Sequence, residues 1–583
     1  MIQEFWDISP LYKSFDDPTF LEHVEQLRKY ADELVAFAET LEQVEPLEGL
    51  RRGTELLEKL ALLNDRLPLY CRLRLATNLN DPEANAWQGK LSAINATFAG
   101  AEAAFKLWAG KLPNLEALLE QDEILKEYKF FYTQLAETGK YLMSSDREAA
   151  VAAMNNSTAW SNMRAALTSR VKVEFRGKTE TITSLRNKEG DEDPEVRREA
   201  FEAELAAYEQ VKDPVAHAMN ALKMATITES RMRGYENPLA RALNNDRLQK
   251  KTLDAMMEAV KDSLPQLQRY LKAKAKIMGK EGPLAWYDLS APVGNANKKY
   301  TLEEARDLLL DMFYKFDQEL GGMMDTAFRD AWIDFYARPG KRDGAFCASC
   351  RSLGRSWVMT NYSGSLGGVK TLAHELGHAF HNVCIKDHRP LNKKYGRPVS
   401  ETASIFNECV FYDTILSQET DPEKLLPLLN SYLNAEANLI MDIYSRFLFE
   451  DEVFKRRENE FLSADILCDI MTRAQKTAYG DALDHEKLHP YMWVCKPHYY
   501  GYFYYNYPYI FGRLFSHGLY AIYQKEGPSF VPKYKKLLFT TGVATAEEAA
   551  MVAGIDLTDK AFWQGSLDDL IKMIDRFCDL AGV

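Results

Sequence analysis

Long apolar runs are missing from this sequence: no stretch approaches the ~18 consecutive apolar residues a membrane-spanning helix needs. The opening Met1-Ile-Gln-Glu-Phe-Trp-Asp-Ile-Ser-Pro10 has no basic segment followed by an apolar one, so no secretory signal is expected. Cysteine is scarce, with eight in 583 residues (Cys71, Cys347, Cys350, Cys384, Cys409, Cys468, Cys495 and Cys578), mostly in apolar or helical settings. That argues against a disulfide scaffold and for a reducing, cytoplasmic compartment. Basic residues are in the minority, 72 against 85 acidic, a net charge of −13. A globally basic nucleic-acid binder is thereby excluded. No repeat with a period of 20 to 50 residues is present, which argues against a helical solenoid.

What is present describes a folded, largely helical chain. Hydrophobic residues at 46% and charged residues at 27% match ordinary globular proteins. The length implies two to four domains at ~150 residues each. Apolar residues recur at helical spacing in Pro18 to Glu42, Leu302 to Glu319 and Leu428 to Glu450. Val171 to Thr183 alternates around Arg176-Gly177 and predicts a hairpin. The charged, Gly- and Pro-bearing segment Asn187 to Pro194 then predicts a boundary, giving a helical N-terminal domain over 1–190 and a second domain over 191–583. Another break, Ala337 to Ala345, precedes the β-rich run Ser356 to Tyr362, expected to be the sheet edge that pairs with a substrate backbone. Gly364, Gly367 and Gly368 follow without Gly-Lys-Ser/Thr, so they make no phosphate loop.

The chemistry concentrates in Thr371-Leu-Ala-His374-Glu375-Leu-Gly-His378-Ala-Phe-His381. On a helix, residues four apart lie about 40° apart and one turn along, so His374 and His378 aim at a common point. Glu375, about 100° from His374, stands beside that point. This is the spacing of a zinc peptidase, with two imidazoles on the metal and a carboxylate as base. Paired histidines on a helix are also found as solvated or core groups. The apolar Leu372, Ala373, Leu376, Ala379 and Phe380 favour a buried helix, and Gly377 predicts close approach of another element. His381 lies about 10 Å along the axis from His374, too far for a shared ligand sphere, and is expected to be a neighbour. No downstream Gly and His complete an extended metzincin pattern. Glu401 and Glu408, seven residues apart after Pro398 and an expected N-cap at Ser400, share a helix face. One can reach a metal while the other bonds a ligand histidine, and geometry alone does not order them.

Asn361 through His381, with Glu401-Thr-Ala-Ser-Ile-Phe-Asn-Glu408 beginning 23 residues after His378, resembles the thimet oligopeptidase and oligoendopeptidase F family of zinc metallopeptidases, more closely its oligoendopeptidase F branch. The resemblance implies a mainly α zincin-type fold, with a helical N-terminal domain and a helical catalytic domain carrying a small β-sheet around a deep substrate channel. It implies one Zn²⁺ per chain on His374, His378 and Glu401, with Glu375 as general base and Glu408 behind a ligand. It implies endopeptidase action on oligopeptides; the charge balance and the lack of long apolar runs add that no nucleic-acid or membrane partner is expected. An intact Glu375 speaks against a non-catalytic peptide-binding scaffold. A non-peptide amide as substrate, and cobalt or manganese as the metal, stay open.

Eight of the 30 tyrosines fall between Tyr491 and Tyr509. Such a stripe is commonly wall or core, but a peptidase also needs neutral donors for the developing oxyanion. Tyr-Tyr-Gly-Tyr here is similar to the segment supplying them in the family, although Val494-Cys495 stands where thimet-like members have Gly-Tyr. His498 and Tyr502 are the candidates, with Tyr499 and Tyr505 as substrate contacts. Cys347-Ala-Ser-Cys350 lacks a second pair, so two neighbouring thiols are expected there rather than a structural zinc.

Overall fold

The computed structural model describes residues 2–294 and 298–582. Among them are 26 α-helices and five short strands, so the mainly helical expectation holds. The chain forms two units, each assembled from three segments: Met1–Tyr141, Asn297–Phe411 and Ile522–Ile555 in the first, Leu142–Ala296, Tyr412–Ala521 and Asp556–Val583 in the second.

The first unit begins with three long helices, Pro18–Ala38, Pro46–Thr77 and Pro82–Gly110. Each starts with a proline behind an acidic residue, Asp17, Glu45 or Asp81, whose carboxylate accepts a hydrogen bond from a first-turn N–H. Proline loses nothing there because that N–H has no helical partner, and the acid satisfies another orphan donor. Phe20, Leu27, Leu34, Leu50, Leu67, Tyr70 and Phe105 from their facing stripes build a continuous core.

That core extends to a three-stranded sheet through Trp357, which is fully buried and donates Nε1–H to the Asp7 carbonyl at 2.8 Å. Strand Arg355–Met359 lies in the middle, parallel to Ile333–Asp334 and antiparallel to Phe346–Cys350. The substrate-pairing edge expected at Ser356 to Tyr362 is therefore corrected. Both flanks of Arg355–Met359 are occupied by neighbouring strands, and Phe346–Cys350 and the short Ile333–Asp334 are the edges. The His-bearing helix Leu366–Cys384 follows, capped by Ser365, whose hydroxyl accepts from the Gly368 N–H.

The second unit contains the hairpin Lys172–Phe175 and Lys178–Thr181 and the long helices Lys212–Met232, Lys250–Ile277, Leu439–Arg457 and Lys560–Ala581. Its interior carries paired charges, Lys223 with Glu450 at 2.6 Å and Arg197 with Asp288 at 2.8 Å, as buried ions require. The segment Leu428 to Glu450 is not one helix. Pro422–Leu433 and Leu439–Arg457 are joined by a wider turn at Asn434–Asn438, where buried Glu436 meets Arg513 and His517.

Candidate metal centre

His374 and His378 project from one face of Leu366–Cys384, one turn apart, within an otherwise apolar and buried helix. The partner element is the helix Thr402–Gln418. Its start differs from expectation: Ser400 is no N-cap, because its hydroxyl donates back to the Arg397 carbonyl at 2.7 Å within a turn. Glu401 is the last residue of that turn, immediately ahead of the helix.

Two contacts hold the second helix against the first. A Cβ on Gly377 would stand 2.5 Å from the Ala403 carbonyl oxygen, so only glycine permits this approach. Asn407 Nδ2 donates to the Ala373 carbonyl at 3.0 Å. As a result Glu401 Oε2 lies 3.4 Å from Nε2 of His374 and 3.4 Å from Nε2 of His378. The three residues form the one cluster of His, Cys, Asp or Glu able to hold a metal ion among the described residues, with all donor atoms within 4.8 Å of one another. Bonds of ~2.0–2.1 Å in a tetrahedral arrangement space neighbouring donors about 3.3–3.4 Å apart. Two imidazole nitrogens and a carboxylate oxygen therefore fit a small four-coordinate divalent cation in both spacing and chemistry, leaving one position free.

The atoms behind the cluster are equally ordered. His374 Nδ1 is 2.6 Å from Glu408 Oε1, and Lys370 Nζ approaches that same oxygen at 3.4 Å. Ser404 Oγ donates to Glu401 Oε2 at 2.9 Å. Burial disfavours charge on His374, yet the Glu401 and Glu408 carboxylates outweigh it and raise the imidazole to about 9. Burial pushes the Glu401 carboxyl up, but hydrogen bonds from His374 and His378 prevail and hold it far below the usual carboxylate range. The centre thus carries surplus negative charge in a poorly solvated setting, which a proton on His374 or a metal ion neutralises. Glu375, 6% exposed, is raised above an ordinary glutamate by burial, against the pull of His374 and His378.

His381 stands apart from the cluster. It is fully buried, its ring stacks on Tyr395 at 4.0 Å, and its Nε2 bonds to Thr541 Oγ1 at 2.8 Å. Burial pulls it down to about 3. Cys347 and Cys350 are both free thiols, three residues apart on one strand. Cys350 bonds to Asp65 and Ser352, while Cys347 is close enough to Glu375 to feel its charge, and burial raises its thiol to about 12. Cys347 and Lys370 were not singled out beside Glu375 and Glu408 from sequence. The i, i+4 spacing of Lys370 and His374 carried that signal, whereas Cys347 had none.

The tyrosine-rich segment belongs to the second unit. Tyr499, 1% exposed, directs its hydroxyl at the Arg446 carbonyl at 3.5 Å. Tyr502 is 58% exposed and stacks on Tyr505 at 4.7 Å. Half-buried His498 stacks on Tyr505 as well, at 5.3 Å, and is lowered first by burial and then by Arg446, Lys496 and Arg164.

Residues 189–569 match the model of peptidase family M3. The chain is 26% identical over 452 residues to oligopeptidase PepF of Bacillus subtilis, covering 76% of this chain and 67% of that protein. It is 23% identical to an oligoendopeptidase F homolog of Lactococcus lactis, over 98% of this chain and 97% of the relative. The crystal structure of oligoendopeptidase-F from Enterococcus faecium has the same fold, with a TM-score of 0.71 at 18% identity, over 96% of this chain and 98% of that one.

Proposed function

The chain belongs to peptidase family M3 and is a metalloendopeptidase, and on that footing we propose that it hydrolyses internal bonds of short oligopeptides at a zinc ion held by His374, His378 and Glu401. The observation that carries the reading is the 3.4 Å spacing of Glu401 Oε2 from both Nε2 atoms, with Glu375 beside them. When bound, the ion supplies Lewis acidity, polarising the scissile carbonyl and making an attacking water more acidic.

The chain's own residues do the rest. Glu408 accepts the Nδ1 proton of His374, which aims the Nε2 lone pair at the ion. Ser404 holds Glu401 in place by its hydroxyl. Glu375 takes the water's proton on a carboxylate oxygen and delivers it to the leaving amine nitrogen. Its raised basicity suits that exchange, since a base works best with a pKa near the working pH. On chemistry alone, Tyr502 and neutral His498 are the donors assigned to the oxyanion, and Tyr505 and Tyr499 the side chains assigned to the substrate. Among the described residues no helix is long and apolar enough to cross a membrane, and all eight cysteines are free, which supports the cytoplasm as its compartment.

The test is cleavage of quenched fluorescent peptides of increasing length, with zinc content measured in parallel. We expect about one zinc per chain and turnover restricted to short peptides. Efficient digestion of a folded protein would sink the oligopeptide reading.

A further inference from the structure

In the first unit, a cavity of about 150 Å³ opens between the helix Pro46–Thr77 and the turn that follows the edge strand Phe346–Cys350. Arg351, Lys393 and Lys394 line it, with Asp65 as the carboxylate among its lining residues. That carboxylate is already engaged, accepting from the Ser352 N–H at 2.7 Å and from Cys350 Sγ at 3.4 Å. Among the described residues, no carboxylate lies within ion-pair distance of Arg351, Lys393 or Lys394. Arg351 Nε is buried with no acceptor. Lys393 Nζ donates to the Arg351 carbonyl at 3.1 Å, and exposed Lys394 makes no hydrogen bond.

Three cations against one lining carboxylate, Asp65, make this hollow locally basic in a chain of net charge −13. Like charges facing one hollow repel. Both lysines are held below the ordinary lysine range, by burial first; at Lys393 the Asp65 and Asp387 carboxylates oppose this more than Arg351 adds to it, and at Lys394 Lys106 and Arg351 add to it more than Glu102 and Asp65 oppose it. An entering anion would relieve that repulsion, and a guanidinium is the group that grips a carboxylate with two parallel bonds.

The location assigns the anion to the substrate. Arg351 is the residue next after the edge strand, and Cys347 on that strand feels the charge of Glu375. Four extended residues span about 13 Å. A peptide lying along the strand with its cleaved bond at Glu375 brings a residue about four places away to Arg351. We infer that this cavity binds a carboxylate of the peptide substrate, an acidic side chain or the terminal α-carboxylate, through Arg351, Lys393 and Lys394. The inference rests on the peptidase reading and adds a charge preference to it.

The test compares the zinc-loaded wild type with Lys394→Gln and with the double variant Lys393→Gln/Lys394→Gln. The substrates are peptides of one length bearing Glu or Gln at successive positions up to about four residues from the cleaved bond, each with a free or an amidated C-terminus. A charge-assisted bond of typical strength predicts about a tenfold preference in kcat/KM for the carboxylate-bearing peptide, expressed in KM and weakened by salt. The double variant should abolish that preference and Lys394→Gln reduce it. Loss of the preference on amidation identifies the α-carboxylate, and loss on Glu-to-Gln exchange identifies a side chain. Should the double variant misfold, Lys394→Gln decides alone, since its side chain is exposed and bonds to nothing. Equal cleavage of all peptides by the wild type, or a preference unchanged in the variants, overturns the carboxylate site alone. Failure of the wild type to cleave any of them overturns the peptidase reading with it.

Discussion

Gly377 and Ala403 meet backbone to backbone, with no room for a side chain between them: a Cβ on Gly377 would also stand 2.6 Å from Ser404 Cα. This contact sets the start of Thr402–Gln418 against the His-bearing helix and so fixes how far Glu401 stands from the two imidazoles. Backbone cannot rotate away as a flexible side chain can, so an added methyl must push the helices apart.

Gly377→Ala should therefore weaken zinc binding at least about tenfold and cost roughly 1–3 kcal/mol of stability, the usual penalty of overpacking. Chelator competition and denaturant unfolding measure the two effects. Unchanged zinc affinity would show that this contact does not set the position of Glu401.

Glu375→Gln preserves shape while removing the base. It should keep about one zinc per chain and lower kcat by about 10²- to 10⁴-fold, the range ascribed to general acid–base catalysis. Retained turnover would take Glu375 out of the mechanism.

His374→Ala and Glu401→Ala each remove one donor of three and should abolish stoichiometric zinc. Glu408→Gln removes only the acceptor behind His374, so its zinc affinity should fall about 10- to 100-fold and recover activity in excess zinc. If Glu401→Ala kept its metal, the third ligand would have to be another residue.

His381 predicts part of the acid sensitivity. Its imidazole titrates at about 3 in the fold, against 6.5 when unfolded. Below pH 6.5 the unfolded chain gains a proton that the native one refuses, so stability falls by about 1.4 kcal/mol per pH unit until the native group titrates. His381→Asn should flatten this slope, making the loss between pH 6.5 and 5 about 2 kcal/mol smaller. Urea unfolding of the metal-free proteins at both pH values measures it, and identical slopes would refute the assignment.

The helical character of the chain and the pairing of His374 with His378 were legible because both depend on spacing within a few turns of backbone. The approach at Gly377 was also readable, since a glycine inside a buried helix costs stability unless something packs against it. Glu401 and Glu408 were legible only as a pair on one face. Tertiary packing separated them, putting Glu401 within reach of both Nε2 atoms and Glu408 against Nδ1 of His374. The strand 355–359 was recognisable as a strand, but its place in the middle of the sheet was not, because its hydrogen-bonding neighbours come from residues 333–334 and 346–350. Ser400 looked like a cap because a cap needs only a hydroxyl near a helix start. Where that hydroxyl turns depends on the Arg397 carbonyl presented by the turn.

From the order of its residues alone, this protein has two imidazoles one helical turn apart and a carboxylate beside them, since covalent geometry and the helix period demand it. Which distant acid stands beside the two imidazoles, which strands lie at the sheet's edges, and which cations gather around one hollow were decided by tertiary contacts. Those contacts join residues tens to hundreds of positions apart, and no local periodicity encodes their separation.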